Sequence, residues 1–528
     1  MKVLITDKIN EAAVKIVEEV AEVDNLPTMN EDELCDIIGN YDALLVRSQT
    51  KVTAKVIEAA KNMKIIGRAG VGVDNIDLEA ATKKGIIVVN SPDGNTHAAA
   101  EHTLAMMMSM ARNIPVADVS VKEGLWERSK FTGVEVYGKT LGIIGFGKIG
   151  QHVAKAALAM GMKIVVNDPY TTKEFVEKFG GKYIEHLDDF WGLPDFITIH
   201  TPKTKETTGL INTNTINRMK KGVRIINCAR GGIIDENALC AALESGWVKQ
   251  AAIDVYEDEK NIDKCPYLKE GNKIVLTPHL GASTNEAQIN VALDVAQQVK
   301  DVLSGKDATS AVNIPALKPQ KLEPVKEYMP IAETISKIAS QIAKGNLREI
   351  LIEVKGNLAN LDVSPLEVAV LKGVLSANIV DVNYVNAPLI AKQRGIKVSV
   401  IKSEQSTDYI GSILTKLTTD KTTTEVQGAL IAQGIERIVK INDYMTAIQP
   451  EDYMLLVPHV NKPNMIGQVA SVLGQNGVNI SKMQVAQKIS KEDNISLMII
   501  NTDDTVCAET LDKINKIDGI NGSLFIQL

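Results

Sequence analysis

Three short stretches carry residues that could handle a proton and an anion together. "NCARGGIIDENAL" holds Arg230 just after an apolar run, "AAIDVYEDE" holds Asp254 and Glu259, and "LTPHLGAST" holds His279. Taking the hydroxyl proton of an alcohol while hydride leaves its carbon needs a base that titrates near neutrality, and histidine is the side chain that does so. A carboxylate beside the ring raises its proton affinity and fixes its tautomer. Glu259 is the better candidate for that partner and Asp254 the lesser. An arginine offers a planar fork to a carboxylate, a role open to Arg230. Each residue also has a plainer reading: His279 as a packed side chain, Arg230 as a surface charge, Glu259 as one acid among several.

A hydride needs an acceptor, and "TLGIIGFGKIG" supplies its signature. Gly145-x-Gly147-x-x-Gly150 follows an apolar run and opens a helical pattern. Asp168, 18 residues past Gly150, ends the next apolar run in "VVNDPY". Glycines at those positions allow a tight turn and close approach of a pyrophosphate, which sits on the free N–H groups of the helix start. Lys148 and Ile149 would give backbone contacts there. Asp168 would accept from the ribose hydroxyls and repel a 2′-phosphate, so NAD is favoured over NADP.

The elements that position these groups follow from periodicity. "KVLIT", "ALLVRS", "KIIGRAG" and "IIVVNS" read as strands, and "EAAVKIVEEV" and "VTAKVIEAAK" as helices. The Met-rich helix Thr96 to Arg112 reads as core packing rather than a cofactor box. From Lys139 a second unit alternates strands with helices, as in a parallel doubly wound sheet. Arg230, Asp254 and His279 fall at its strand ends, where ligands bind in such sheets. "GASTNEAQINVALDVAQQVKDVLSG" reads as one long helix with Ser283 and Glu286 as a capping box. Prolines 315, 319, 324 and 330 mark a linker at 313–327. Residues 328–447 form a third α/β region, and 453–528 follow the order βαββαβ.

The chain has 528 residues with 45% hydrophobic and 23% charged, the composition of a globular protein with several domains. A net charge of −7 argues against a general affinity for nucleic acid. No apolar run is long enough to span a membrane. The 5 cysteines show no paired spacing, so a reduced cytoplasmic setting is expected.

"GIIGFGKIG", "NCARGGIIDE", "DVYEDE" and "PHLGAST" together resemble the D-isomer-specific 2-hydroxyacid dehydrogenases. "VRSQTKVT", "GRAGVGVDNID", "NSPDGNTHAAAEH" and "LWERSKFTG" extend the resemblance along nearly the whole chain. It implies that Arg230 binds the substrate carboxylate and that His279 and Glu259 are the acid–base pair. It implies a substrate-binding domain split between 1–92 and 281–312, with the Rossmann-type NAD-binding domain, 93–280, inserted between them. Further NAD contacts implied are His200, Thr201, Pro202, Cys228, Ala229, Arg230, Asp254, His279, Gly281 and Ala282. The implied substrate is 3-phospho-D-glycerate, its phosphate held by Arg47, by Arg68 with Ala69 and Gly70, and by Arg128 from a neighbouring subunit. The implied reaction opens L-serine biosynthesis.

Tyr453 to Leu528 resembles an ACT domain, in which L-serine binds across a subunit interface; the matching residues are His459, Asn461 and Asn479. Residues 328–447 resemble the intervening domain of long-form members, with Lys392 and Arg394 as candidate anion contacts. A homodimer or homotetramer is implied, without nucleic acid, membrane or metal. The chain departs from the family pattern at Lys260, where a proline is common, and at Asn464, where glycine is usual. Two alternatives remain: a dehydrogenase of another 2-hydroxyacid such as 2-hydroxyglutarate, and a non-catalytic NAD-sensing regulator.

Overall fold

A computed structural model of the chain describes residues 1–405, 409–432, 434–488 and 494–528. The first sheet is parallel, with strands in the order Glu22–Asn25, Lys2–Ile5, Ala43–Val46, Ile65–Arg68, Ile87–Asn90. Side chains alternate across its faces, as strand geometry requires. Leu4, Leu44 and Ile66 meet the helices of residues 31–60. Val3, Ile5, Leu45 and Ile65 instead meet Val291, Val295, Val299 and Leu303. Those four lie on the helix Asn285–Leu303, so this unit is completed by a segment nearly three hundred positions away. Gly67 makes the close contact possible: a Cβ there would lie 2.6 Å from Val295 Cγ1. The helix is capped by Thr284, which accepts the Ala287 N–H at 3.1 Å. Ser283 is therefore not the cap, because the hydroxyl one residue later sits at the right distance from the third helical N–H.

The second sheet holds seven parallel strands, in the order Ile274–Leu276, Val248–Ile253, Val223–Asn227, Phe196–Ile199, Thr140–Ile144, Lys163–Asn167, Lys182–Tyr183. The order reverses between Thr140–Ile144 and Phe196–Ile199, the switch point at which such sheets open a crevice. The helix Thr96–Ala111 buries Met106, Met107 and Met110 against Leu141, Ile143 and Phe196, so its methionines are core.

Beyond the long helix, the proline-rich stretch is not an extended tether. It forms short helical turns at Pro315–Leu317, Pro319–Leu322 and Glu323–Tyr328. Proline is at home in first turns, and Leu322 and Val325 are buried. A six-stranded mixed sheet follows, packed on the helices Met329–Ile342 and Ser364–Ser376. The last sheet runs Ile480–Gln487, Ile495–Thr502, Tyr453–Val460, Leu524–Gln527, with the helices Met465–Gln475 and Ala508–Asn515. Its helix-covered face carries Leu455, Val457, Met498 and Ile500. Its other face carries Met454, Leu456, Leu497 and Ile499, which share one core with Ile331, Ile335 and Val354 of the preceding region. The Gln341 side chain also bonds both backbone groups of Gln527, at 2.9 and 3.1 Å. The two C-terminal sheets are therefore bonded into one body.

Candidate active site

The dinucleotide turn is built as its glycines dictate. Gly145 has φ 92°, and a Cβ there would lie 2.6 Å from the His200 carbonyl. A Cβ on Gly150 would run into the Gly145 carbonyl. Gly147 caps the helix Lys148–Ala159 without a side-chain bond, and nothing lies near its missing Cβ, so the first-turn N–H groups remain available to an anion. Asp168 is held in place from both oxygens, accepting the Phe146 N–H at 2.6 Å and the Tyr170 N–H at 2.7 Å. Ile149 packs into the domain core. Lys148 reaches across to Asp93 at 2.6 Å.

Opposite the turn, burial pushes the His200 ring down to about 4, so it is neutral. Its Nε2 lies 3.1 Å from Thr198 Oγ1. The Thr201 hydroxyl is buried without a partner among the described residues. Pro202 accepts from Thr207 at 2.7 Å and turns the chain there. The glycine cradle and the orphaned hydroxyl both fit a dinucleotide.

His279 has φ 54°, a left-handed conformation rare for a residue with a side chain. Its backbone N–H is tied to the Asp254 carbonyl at 2.9 Å. Asp254 itself is fully buried. Its carboxylate accepts from Thr277 Oγ1 at 2.6 Å, the Leu280 N–H at 2.8 Å and the Gly281 N–H at 2.9 Å, with His102 Nε2 at 3.2 Å. Burial raises its pKa, and the bonds from His102, Thr277 and Leu280 outweigh that and leave it below the ordinary range. Asp254 therefore holds the loop that presents His279 and Ala282, and the ring's partner is Glu259. Glu259 Oε1 lies 2.8 Å from His279 Nδ1. That bond raises the His279 pKa, against burial and against Arg230.

Sequence reasoning missed His102 and Thr277. They stand 175 positions apart, and only the fold brings them to Asp254. His102, Cys228 and Asp254 gather within 4.8 Å of one another. Burial and Asp254 push the Cys228 thiol up to about 12, and the Asp254 carboxylate is already filled by donors, so the cluster is a hydrogen-bonded one.

The arginines collect at the other wall. Arg68 ends its strand and lies along Gly70, whose φ of 151° and missing Cβ leave room for the guanidinium. Arg230 Nη2 comes over Gly72 two residues later, and its Nε lies 3.6 Å from Asp74. Burial, Arg230 and Arg47 bring Arg68 down to about 10, so it remains charged at neutral pH. Its Nε is buried without a partner among the described residues. Buried Asp7 fixes the backbone at Arg47, accepting its main-chain N–H at 2.6 Å, and Arg47 Nη1 donates to the Lys8 carbonyl at 3.3 Å. Ala69 is buried and bonds back to Val46. Arg230 Nη1 donates to the Ala229 carbonyl at 2.7 Å. Lys260 lies in an exposed loop beside Lys51, which lowers its pKa. Arg68, Arg230 and Arg47, set against Asp7 and Asp74, leave a surplus of positive charge that suits an oxyanion. Arg128 stands elsewhere, on the exposed turn Arg128–Phe131 of the inserted domain, next to Trp126, which is 80% exposed.

In the C-terminal sheet His459 is only 2% exposed, with Nδ1 3.2 Å from the Val457 carbonyl. The Asn461 N–H donates to the Asn494 carbonyl at 2.9 Å, and Asn479 donates to Asp503 at 2.5 Å. Asn464 adopts φ 70°, a left-handed conformation that asparagine tolerates better than most residues.

Residues 104–281 match the family model of the D-isomer specific 2-hydroxyacid dehydrogenase, NAD binding domain. Among solved structures, a glyoxylate reductase from Paecilomyes thermophila is 30% identical, covering 60% of this chain and 99% of that one with a TM-score of 0.56. A D-lactate dehydrogenase from Aquifex aeolicus, complexed with NAD and lactic acid, is 28% identical over 57% of this chain and 96% of that one, with a TM-score of 0.51. The fold and crevice are those of an NAD-dependent dehydrogenase. Residues 324–442 match the D-3-phosphoglycerate dehydrogenase intervening domain. The D-3-phosphoglycerate dehydrogenase of Synechocystis sp. is 47% identical, over 100% of this chain and 95% of the relative. That of Methanocaldococcus jannaschii is 43% identical over 100% of both. The chain belongs to the D-3-phosphoglycerate dehydrogenase family.

Proposed function

We propose that the protein oxidises 3-phospho-D-glycerate to 3-phosphohydroxypyruvate, the step that opens L-serine biosynthesis. The observation that carries this reading is the His279–Glu259 pair at 2.8 Å facing the cluster of Arg230, Arg68 and Arg47. Arg230 holds the substrate carboxylate in a bidentate fork. Arg68, with the backbone of Ala69 and Gly70, and Arg47 take the phosphate. Neutral His279 accepts the hydroxyl proton at Nε2, because Nδ1 is engaged by Glu259. The carboxylate of Glu259 stabilises the imidazolium so formed. The Gly145–Gly150 turn and Asp168 would hold NAD, which would supply the hydride acceptor.

Domain boundaries at 1–92 with 281–312, 93–280, 328–447 and 453–528 suit this division of labour. Ile114, Val119, Val121, Leu125 and Trp126 form an exposed apolar run on the inserted domain. A second copy of the chain on that run would account for it, and Arg128 would then reach a neighbour's cleft. L-serine is the effector proposed for the C-terminal sheet, at His459, Asn461 and Asn479.

The experiment is NADH formation from 3-phospho-D-glycerate and NAD, with the ketone product trapped and L-serine titrated. Turnover is expected, with a preference over 2-hydroxyglutarate. Absence of turnover by protein that binds NADH would overturn the reading. Turnover indifferent to serine would remove the effector and leave the enzyme.

A further inference from the structure

Glu236 belongs to neither the His279–Glu259 pair nor the arginine cluster. It begins the helix Glu236–Glu244, is 9% exposed, and is not aimed at the crevice. Its two oxygens serve two different places. Oε1 accepts the Glu257 N–H at 2.9 Å, and Oε2 accepts the Cys265 S–H at 3.8 Å. Those residues bracket the segment that carries Glu259.

That segment needs an anchor. Residues 257–264 are all exposed, and the only large apolar side chain among them, Ile262, is 40% exposed. Its short helix is interrupted at Asn261, where φ is −111° and ψ 50°. Nothing apolar therefore fixes Glu259 from within the loop. A carboxylate in the first turn of a helix suits the helix dipole, so Glu236 can stay buried there while receiving two donors. A second contact sets the same region from the same side. A Cβ on Gly231 would run into the Tyr256 carbonyl, so the turn after Arg230 rests directly on the backbone entering the loop.

We propose that Glu236 is a positioning residue for the acid–base pair: by tying Glu257 and Cys265 to one carboxylate, it holds Glu259 at bonding distance from His279. The inference rests on the roles given above to His279 and Glu259. The groups facing His279 are Glu259, Asp254 and Arg230. Those facing Glu236 are Cys240, Cys265, Tyr267 and the backbone of Glu257. If Glu259 swings away, His279 loses the partner that raises its proton affinity, and the acidic limb of the oxidation profile moves to lower pH.

The test is the pH dependence of kcat/KM for 3-phospho-D-glycerate oxidation in wild type, Glu236→Ala, Glu236→Gln and Glu259→Gln, with the Kd for NADH and the thermal midpoint alongside. Glu236→Ala is expected to lower the plateau about tenfold and to move the acidic limb in the direction seen for Glu259→Gln, with NADH binding unchanged. Glu236→Gln can still accept the Glu257 N–H, but its amide faces the Cys265 S–H with a donor, so it should restore most of the plateau and move the limb less. A limb that stays at the wild-type position in both Glu236 variants while moving in Glu259→Gln overturns the proposal, whatever happens to the plateau or the thermal midpoint. Should Glu236→Ala not fold, the limb of Glu236→Gln decides in the same way. A limb unmoved in Glu259→Gln overturns the acid–base reading itself, not only its anchor.

Discussion

Glu259 takes Nδ1 of His279, at 2.8 Å, and thereby confines the proton traffic of the ring to Nε2. The raised pKa of His279 has a sign that can be worked out. Oxidation needs the neutral ring, so activity rises as pH passes upward through that pKa. The ordinary value for the side chain is 6.5, and the acidic limb should lie above it. Glu259→Gln removes the main cause of the shift. The limb should move down, and the plateau of kcat/KM should fall about 10- to 100-fold. A pH–rate profile between about pH 6 and pH 9 reads both.

Arg68→Ala should raise KM for 3-phospho-D-glycerate about 10- to 100-fold, the loss of a charge-assisted contact of roughly 1.5–3 kcal/mol. KM for NAD should change little, because Arg68 belongs to the first sheet and the Gly145–Gly150 turn to the second. Steady-state kinetics with each substrate varied in turn checks this, and equal effects on both would remove the phosphate role.

Gly145→Ala places a methyl 2.6 Å from the His200 carbonyl at φ 92°. Backbone must move, so NADH binding monitored by fluorescence should weaken by more than about tenfold. Unchanged affinity would show that the turn yields without disturbing the cofactor.

Asp168→Ala should weaken NAD binding and narrow its advantage over NADP. The carboxylate is prepositioned by the Phe146 and Tyr170 N–H groups, and its charge opposes a 2′-phosphate. The ratio of kcat/KM for the two cofactors is the measurement. A ratio that does not fall would mean that another group selects the cofactor.

Much of the site was legible because its parts are local. Strand, glycine turn and helix lie within residues 140–159, and Asp168 closes the next strand. Residue type asks for a carboxylate beside His279 and favours Glu259 over Asp254, and the family resemblance points to Glu259. The Asp254 network was not legible, because His102 comes from the helix Thr96–Ala111, distant in sequence, and hydrogen bonding leaves no periodic trace. Asp7 was missed for the same reason. It reads as a polar residue after a strand, yet it holds the main-chain N–H of Arg47 from 40 positions away. The strand Glu22–Asn25 was missed because its sequence, EVDN, is polar, as an edge position allows. The shared core of the last two sheets stayed hidden because an apolar strand face does not say what covers it.

The helix Asn285–Leu303 has a consequence for how the chain is made. It shares one face of the first sheet with the helix Glu11–Glu18, but it leaves the ribosome long after that helix and the strands. At about 5–20 residues per second, the strands carrying Val3, Ile5 and Leu45 wait roughly 15–60 s with that face only partly covered, by Ala13 and Val17. The inserted nucleotide domain has everything it needs within its own span and can fold during the wait. The unit that begins the polypeptide is then the second to mature, and Val3, Ile5 and Leu45 keep part of their surface in water until the chain returns.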